Sequence, residues 1–288
     1  MPLITPFDPW ENKICSCPKK YSLSPYTGCS HNCLYCYASS YIRDFSKPRE
    51  KKDFLNKLQR EIKKIPENSI IAISNSSDPY IPLEKKLKIT RQLLEILTSY
   101  KLKINLITKS SLILSDLDLL KTFKSLVVSI SLTTLNEQLS KKLEPNVSSP
   151  HERLLAIKKI SYYLPVVCRF DPIIYNINDT EIPYMIKKLK QCGVKQIITS
   201  TYKIKPDNFK RMINVFPNHQ KIWHKLYYKE GQRINNSIYL SEILRKKIID
   251  QIRDISSKEN ILFSSCREGF NDLNTAKCDG SSLFKEQT

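Results

Sequence analysis

The chain has 288 residues, 41% of them hydrophobic and 26% charged, enough to bury the core of one large α/β domain or two small ones. Its net charge of +19, from 47 Lys+Arg against 28 Asp+Glu, points to a polyanionic partner, with nucleic acid first; AT-biased coding would also enrich Lys, Ile and Asn and leave only 5 Gly. No apolar run is long enough to span a bilayer, and the opening Met1-Pro2-Leu3-Ile4-Thr5-Pro6 lacks a basic n-region and an apolar h-region.

These features exclude a disulfide-stapled secreted domain. They lead us to expect a cytoplasmic protein whose nine cysteines serve largely as metal ligands, with no membrane partner.

In chain order, strand-like runs fall at 21–26, 69–74, 103–108, 126–132, 165–170 and 195–200. Helical segments lie between them at 48–65, 86–100, 115–123, 150–162 and 181–192. Ile89, Leu93, Leu94 and Leu97 recur at helical spacing and mark a core-facing stripe. Pro48 fits a first helical position, and Gly193 fits a helix end. Strand and helix alternate, which predicts an α/β fold on a parallel sheet. A mixed region, 202–239, then precedes a helix at 241–256 and a last strand-like run at 261–264. The expected division is an N-terminal extension (1–20), a core (21–201) and a C-terminal region (202–288) that completes the same domain.

One loop carries most of the chemistry: Cys29-Ser-His-Asn-Cys33-Leu-Tyr-Cys36. Three thiolates so spaced hold three corners of a 4Fe–4S cubane and leave one iron without a protein ligand. Zinc pairs usually read C-x-x-C twice over, which this spacing does not. His31 lies between the ligands and reads as structural. Tyr35 and Tyr37 flank Cys36 and can face a cofactor.

The strand ends supply polar groups. The second run ends in Ser77 and Asp78, the third in Lys109, the fourth in Ser131 and Thr133, and the fifth in Cys168-Arg169-Phe170-Asp171. Lysine can pair with a carboxylate as a point charge, and arginine can bind carboxylate or phosphate in bidentate fashion. Parallel α/β folds bind ligands at the C-terminal ends of their strands, where these residues fall. The basic and aromatic segment Trp223, His224, Lys225, Tyr227, Tyr228 and Arg233 could stack bases and pair phosphates, or form a packed lid.

The three-cysteine spacing resembles the signature of the radical S-adenosylmethionine (radical SAM) superfamily. Pro25 to Ala38, Ser77-Asp78-Pro79-Tyr80, Thr108-Lys109-Ser110 and Asn274 to Gly280 look like its spore photoproduct lyase-like branch, often labelled DNA repair photolyase. The resemblance covers nearly the whole chain. It implies a partial (βα)6 barrel, a 4Fe–4S cluster and S-adenosyl-L-methionine, cleaved reductively to a 5′-deoxyadenosyl radical, with an external one-electron donor of ferredoxin or flavodoxin type. It also implies cofactor contacts from Tyr35, Tyr37, Ser77, Asp78, Lys109, Ser131, Thr133 and Arg169. The branch's repair enzyme keeps a hydrogen-donating cysteine where Asn75 stands here, which leaves Cys168 as the candidate donor. The expected target is nucleic acid, by repair or base modification. Radical modification of a peptide or small molecule, and a non-catalytic metal-cluster protein that binds nucleic acid, stand beside it.

Four further cysteines sit near the chain ends: Cys15, Cys17, Cys266 and Cys278. If the ends meet, four thiolates complete a second site, and ligand count alone does not separate zinc from 4Fe–4S. Cys192, on a helix, reads as core packing.

Overall fold

The computed structural model describes residues 2–7 and 14–285. Expectations for residues 1, 8–13 and 286–288, within the two terminal regions, lie outside them. In chain order the strands are β1 (Thr5–Pro6), β2 (Tyr21–Leu23), β3 (Tyr26–Thr27), β4 (Arg49–Glu50), β5 (Ile70–Ile73), β6 (Lys103–Thr108), β7 (Leu126–Ser131), β8 (Val166–Ile173), β9 (Gln196–Thr201), β10 (Gln232–Ile234), β11 (Ser237–Tyr239) and β12 (Leu262–Ser265). The helices are α1 (Phe54–Glu61), α2 (Glu84–Leu87), α3 (Ile89–Leu97), α4 (Leu117–Leu120), α5 (Glu137–Leu143), α6 (Pro150–Ser161), α7 (Ile182–Gln191), α8 (Pro206–Val215), α9 (Gln220–His224) and α10 (Glu242–Lys258).

The main sheet runs β1-β2-β5-β6-β7-β8-β9-β12. Every pair from β2 to β12 is parallel, and β1 is antiparallel at the edge. This is the expected α/β partial barrel, with β12 adding a seventh parallel strand. The 150–162 and 181–192 helices fall almost where the sequence puts them. Ser149 and Glu152 form a capping box at α6, and Gly193, at φ +84°, ends α7.

Several expected boundaries differ. The 21–26 run breaks after Leu23, and Tyr26–Thr27 pairs with β4 instead. Pro25 lies at the break and has no N–H for a ladder. Because Arg49–Glu50 belongs to that pairing, α1 begins only at Phe54, so Pro48 is not at a helix start. The 86–100 segment divides at Lys88, whose φ of 51° is left-handed. The 115–123 segment shortens to α4, entered from a 3-10 turn over Ser111–Asp116. Within 202–239, Trp223 and Tyr227 are buried; they donate to Tyr175 O (3.1 Å) and Tyr202 O (3.0 Å). The packed alternative therefore holds for both rings, while His224 and Tyr228 stack on the surface.

The sheet is buried on both faces, and period-two alternation decides which face each residue meets. On β8, Val166, Cys168 and Phe170 join the large core under the helices. Val167 belongs to a second small core with Val127 and Ile198 on the inner face, against Leu283 and Phe284 of the tail. The tail thus closes the lower end of the open barrel. Asn105 donates to the Asp279 carbonyl, Gln196 donates to Lys277 O at 2.8 Å, and Lys20 pairs with Asp279 at 2.7 Å, buried. Gly280 lies on the inner face at φ +84°, where a Cβ would come within 2.9 Å of Val167 Cγ2.

Gly280→Ala should therefore destabilise the fold by about 1–3 kcal/mol, through overpacking and left-handed strain together. Urea unfolding monitored by circular dichroism measures this, and an unchanged midpoint would show that the tail does not plug the barrel.

Candidate active site

β2 delivers the chain to the three-cysteine loop, and Gly28 makes the turn. Its φ is +83°, and a Cβ there would lie 2.6 Å from Phe45 O. Cys29 N–H donates to that same carbonyl at 2.7 Å. The close approach that excludes a side chain at 28 thus fixes the first cysteine. Leu34 N–H donates to Leu143 O at 2.9 Å, and Cys36 N–H to Cys33 O at 3.1 Å.

Helix α8 holds the loop from the other side. Arg211 donates through Nε to Leu34 O (3.1 Å) and through Nη2 to Cys36 O (3.0 Å). Asp207 pairs with Arg211 at 3.0 Å and accepts from Ser39 at 2.7 Å. Asn208 donates to Tyr35 O at 3.3 Å. The sequence shows Asp207 and Arg211 as a helix i,i+4 pair, but nothing local to it announces a clamp on carbonyls some 175 residues away.

Cys29, Cys33 and Cys36 open on a cavity of ≈ 600 Å³ beside the strands' C-terminal ends. Of the residues expected to touch a cofactor, Tyr35, Tyr37, Ser77, Asp78, Lys109, Ser131 and Arg169 line it. Thr133 does not; it is buried, and its hydroxyl donates to Glu144 at 2.9 Å and lies 3.0 Å from the Tyr35 hydroxyl. Cys168 does not either. It lies in the core under the helices, where burial pushes its thiol up to about 12, so the hydrogen-donor role expected for it has no access to the cavity. Alternation places Arg169, not Cys168, on the inner face. The side chain of Asn75 donates to Ser22 Oγ at 2.9 Å, beside the same cavity.

A buried carboxylate organises one wall. Glu144 Oε1 accepts from the Tyr35 hydroxyl, from Thr133 and from Lys109 Nζ (3.1 Å). Glu144 Oε2 pairs with Arg153 at 2.7 Å, and both side chains are fully buried. Arg153 also donates to Ser131 O (3.0 Å) and Ser140 Oγ (3.0 Å). Burial opposes the charge on Glu144, but Arg153, Lys109 and the Tyr35 hydrogen bond outweigh it and hold the carboxyl well below the usual range. Glu144 and Arg153 carried no sequence signal, because each looks like an ordinary charge at or after a helix.

Asp78 forms the opposite corner. It accepts from Lys109 N–H (2.6 Å), Thr108 Oγ1 (2.7 Å) and Tyr80 N–H (2.8 Å), with His31 Nε2 3.4 Å away. Burial would raise Asp78, but the His31 ring, then the Lys109 and Thr108 bonds, overcome it and lower the carboxyl. His31 Nδ1 lies 3.1 Å from Asn146 O. The histidine read as structural is thus a buried partner of Asp78 that also lines the cavity.

Across the cavity the four terminal cysteines come together. Cys17 Sγ lies 3.6 Å from Cys278 Sγ, and the free thiols of Cys15 and Cys266 interact with Cys17 and Cys278 respectively. The Cys278 bond, with Arg169 nearby, draws the Cys266 thiol down to about 7 against the effect of burial.

The sequence model of the radical SAM superfamily matches residues 23–189, from β2 to α7 and more than half the chain. The chain belongs to the radical SAM superfamily. An uncharacterized protein of Methanocaldococcus jannaschii is 31% identical over 174 residues, 59% of this chain and 66% of that one. An uncharacterized protein of Acidianus two-tailed virus is 27% identical over 48% of this chain and 50% of its own. The chain therefore spans between about half and two thirds of these relatives. A spore photoproduct lyase variant solved with AdoMet and dinucleoside spore photoproduct superposes with a TM-score of 0.67, at 16% identity over 84% of this chain and 75% of that one. Streptococcus suis SuiB bound to S-adenosylmethionine gives 0.58, at 15% identity over 90% and 53%. At these identities the likeness to solved structures is one of fold.

Radical SAM membership implies a 4Fe–4S cluster and S-adenosylmethionine. The donor set fits such a cluster. Three thiols from one loop open on one cavity, and burial pushes Cys29 up to about 12 and holds Cys33 well above the usual thiol range. Iron reverses this, since a coordinating thiol is deprotonated outright.

Removing the organising charge tests this wall. Glu144→Gln should cost about 3–5 kcal/mol at neutral pH, because it leaves Arg153 and Lys109 without a buried counter-charge. A carboxyl lowered on folding contributes stability present above its unfolded pKa and lost as pH falls through the folded value. Stability of the native chain should therefore fall steeply below about pH 4, and the variant should show a shallower acid limb. Urea midpoints between pH 7 and 3 measure this; equal slopes in the two proteins would reject the assignment.

Proposed function

We propose that the chain is an enzyme that binds a 4Fe–4S cluster through Cys29, Cys33 and Cys36 and uses S-adenosyl-L-methionine for radical chemistry on nucleic acid, as repair or base modification. When bound, the cluster supplies the electron that cleaves S-adenosylmethionine to a 5′-deoxyadenosyl radical. The observation that carries the reading is the shared cavity. The three thiols, the polar strand ends and a basic, aromatic rim all face one space of ≈ 600 Å³.

Within it, Lys109 offers its ammonium to the cofactor's carboxylate. Its Nζ is held by Glu144 and by the Tyr35 hydroxyl at 3.0 Å, so the charge is aimed before any ligand arrives. Ser77 and Asp78 are placed to receive an ammonium group. Tyr35 presents its ring with the hydroxyl anchored, and Thr133 acts through that anchor rather than by contact. Arg169, steered by Asp171 at 3.3 Å, supplies a guanidinium on the inner face.

The rim favours a polyanion with flat bases. Tyr37 and Tyr41 are 42% and 49% exposed, with ring centroids 6.2 Å apart. Lys205 and Arg267 line the same opening. Aromatic faces stack bases and cations pair phosphates, as single-strand binding requires. The chain's charge of +19 supports the same partner, and a fold-level neighbour was solved with a dinucleoside product. An external one-electron donor of ferredoxin or flavodoxin type belongs to this reading. So does a cytoplasmic location, where thiols stay reduced; among the described residues no helix is long and apolar enough to cross a membrane.

Anaerobic reconstitution with iron and sulfide, followed by dithionite and S-adenosylmethionine, should release 5′-deoxyadenosine, and Cys33→Ala should abolish both iron binding and cleavage. Release by that variant would sink the ligand assignment. For the substrate, affinity for single-stranded DNA or RNA should fall with a log–log salt slope of about −3 or steeper, and Tyr37→Ala should weaken it by about 1–3 kcal/mol. Salt-independent binding, with label from the cofactor appearing in peptide instead, would reject nucleic acid as the target.

A further inference from the structure

Six thiols remain after the cluster loop is accounted for; Cys168 and Cys192 pack in the core, and several buried contacts gather the other four. Cys15 and Cys17 precede β2; Cys266 follows β12, and Cys278 lies in the tail. Cys17 and Cys278 are 261 residues apart, yet their sulfurs are 3.6 Å from each other. Next to this contact, Lys20 and Asp279 form a buried ion pair at 2.7 Å that ties the two segments. The Asp279 carbonyl accepts from Asn105, and its carboxylate accepts from Ser281 N–H at 3.0 Å. Cys278 is thus held by inner-face side chains of the sheet, not by a loose tail. The thiol of Cys15 interacts with that of Cys17 at one end of the row, and Cys266 with Cys278 at the other.

We propose that Cys15, Cys17, Cys266 and Cys278 bind a second metal centre, a single tetrahedral ion of the zinc class. The spacing argues for one ion rather than a cluster. Zinc–thiolate bonds of ≈ 2.3 Å in a tetrahedron put neighbouring sulfurs roughly 3.8 Å apart, close to the observed 3.6 Å. A cubane holds its thiolates at separate corners, well beyond sulfur contact. Charge is provided for as well. Four thiolates around a divalent ion leave two negative charges, and two cations shared with Asp171 and Asp279 stand nearby: the partly buried Arg169 interacts with Cys266, and the buried Lys20 with Cys17.

Among the described residues no three His, Cys, Asp or Glu side chains already converge on one point. The thiols form an open row, and the ion would close it. Cys15, at the row's end, is the ligand that must turn in. The centre would then fasten the two terminal segments at the cavity wall, across from the radical-generating loop. It does not depend on the nucleic-acid reading, nor on the three-cysteine loop.

The test uses the full chain with Cys29, Cys33 and Cys36 all replaced by alanine, so that iron at the first site is removed. Grown with zinc, this protein should carry about one zinc per chain. Exchange into cobalt(II) should give the intense thiolate-to-cobalt charge-transfer band and tetrahedral ligand-field bands of a four-sulfur site. Adding Cys278→Ser should remove the zinc and weaken the charge-transfer band, while adding Cys192→Ser should change neither. Because the cobalt spectrum is read on the parent, the outcome stands even if the Cys278 variant fails to fold. Absence of both zinc and a cobalt–thiolate band, iron and sulfide at these cysteines instead, or a Cys17–Cys278 disulfide in anaerobically purified protein would each overturn the proposal.

Discussion

An open parallel sheet has an inner face that no helix covers, and every other feature of this molecule follows from how that face is filled. A closed barrel packs its interior with side chains from its own strands. Here β1 and β12 are the sheet's edges, so the chain supplies a filler from outside the strands: residues around Gly280, Leu283 and Phe284 against Val127, Val167 and Ile198. Above that plug the inner side chains turn polar. Asn105 and Ser129 come first, 3.3 Å apart, then Arg169, then Ser131, Asp171 and Ser200 at the opening. The lower half is packed and the upper half is a cavity.

The cavity walls are stiff for an electrostatic reason. Glu144, Arg153, Lys109 and Tyr35 form one buried cluster in which each charge is answered by another and by hydrogen bonds. Such a cluster is costly to disturb, because the loss of one member strands the rest. It joins the end of β6, the cluster loop, the segment after α5 and the first half of α6. A ligand entering the cavity meets groups whose positions are already decided, so little of its binding energy goes into ordering them.

Much of this was legible in the sequence, and the parts that were not share a cause. The alternation of β and α segments, the three-cysteine loop and the polar strand ends are local patterns, and they locate the site. Alternation within a strand is also local, but β7 is buried at all six positions, so its sequence Leu-Val-Val-Ser-Ile-Ser hides which residues face in. On β8 the same ambiguity made Cys168 and Arg169 both look available, though adjacent residues on a strand cannot share a face. The supports were hidden more deeply. Arg211, Asn208, Glu144 and Arg153 act over long sequence separations, on backbone carbonyls or on one another, and no spacing rule reports such contacts. The break after Leu23 was readable in Pro25, but the partner that takes Tyr26–Thr27 lies at Arg49–Glu50, and the helical composition of that stretch masked it.

The clamp from α8 has a consequence for how this loop can change. Arg211 and Asn208 grip the carbonyls of Leu34, Tyr35 and Cys36, which every amino acid possesses. The grip therefore specifies where the loop backbone runs and is blind to what hangs from it. Position 34, whose side chain is partly buried against the core, can vary among apolar residues that keep that packing while the thiols on either side keep their places. Variation at 211 is confined by contrast, since lysine lacks the planar fork that reaches two carbonyls at once. The tolerance for novelty sits in the loop, and the constraint sits on a helix that touches no reacting atom.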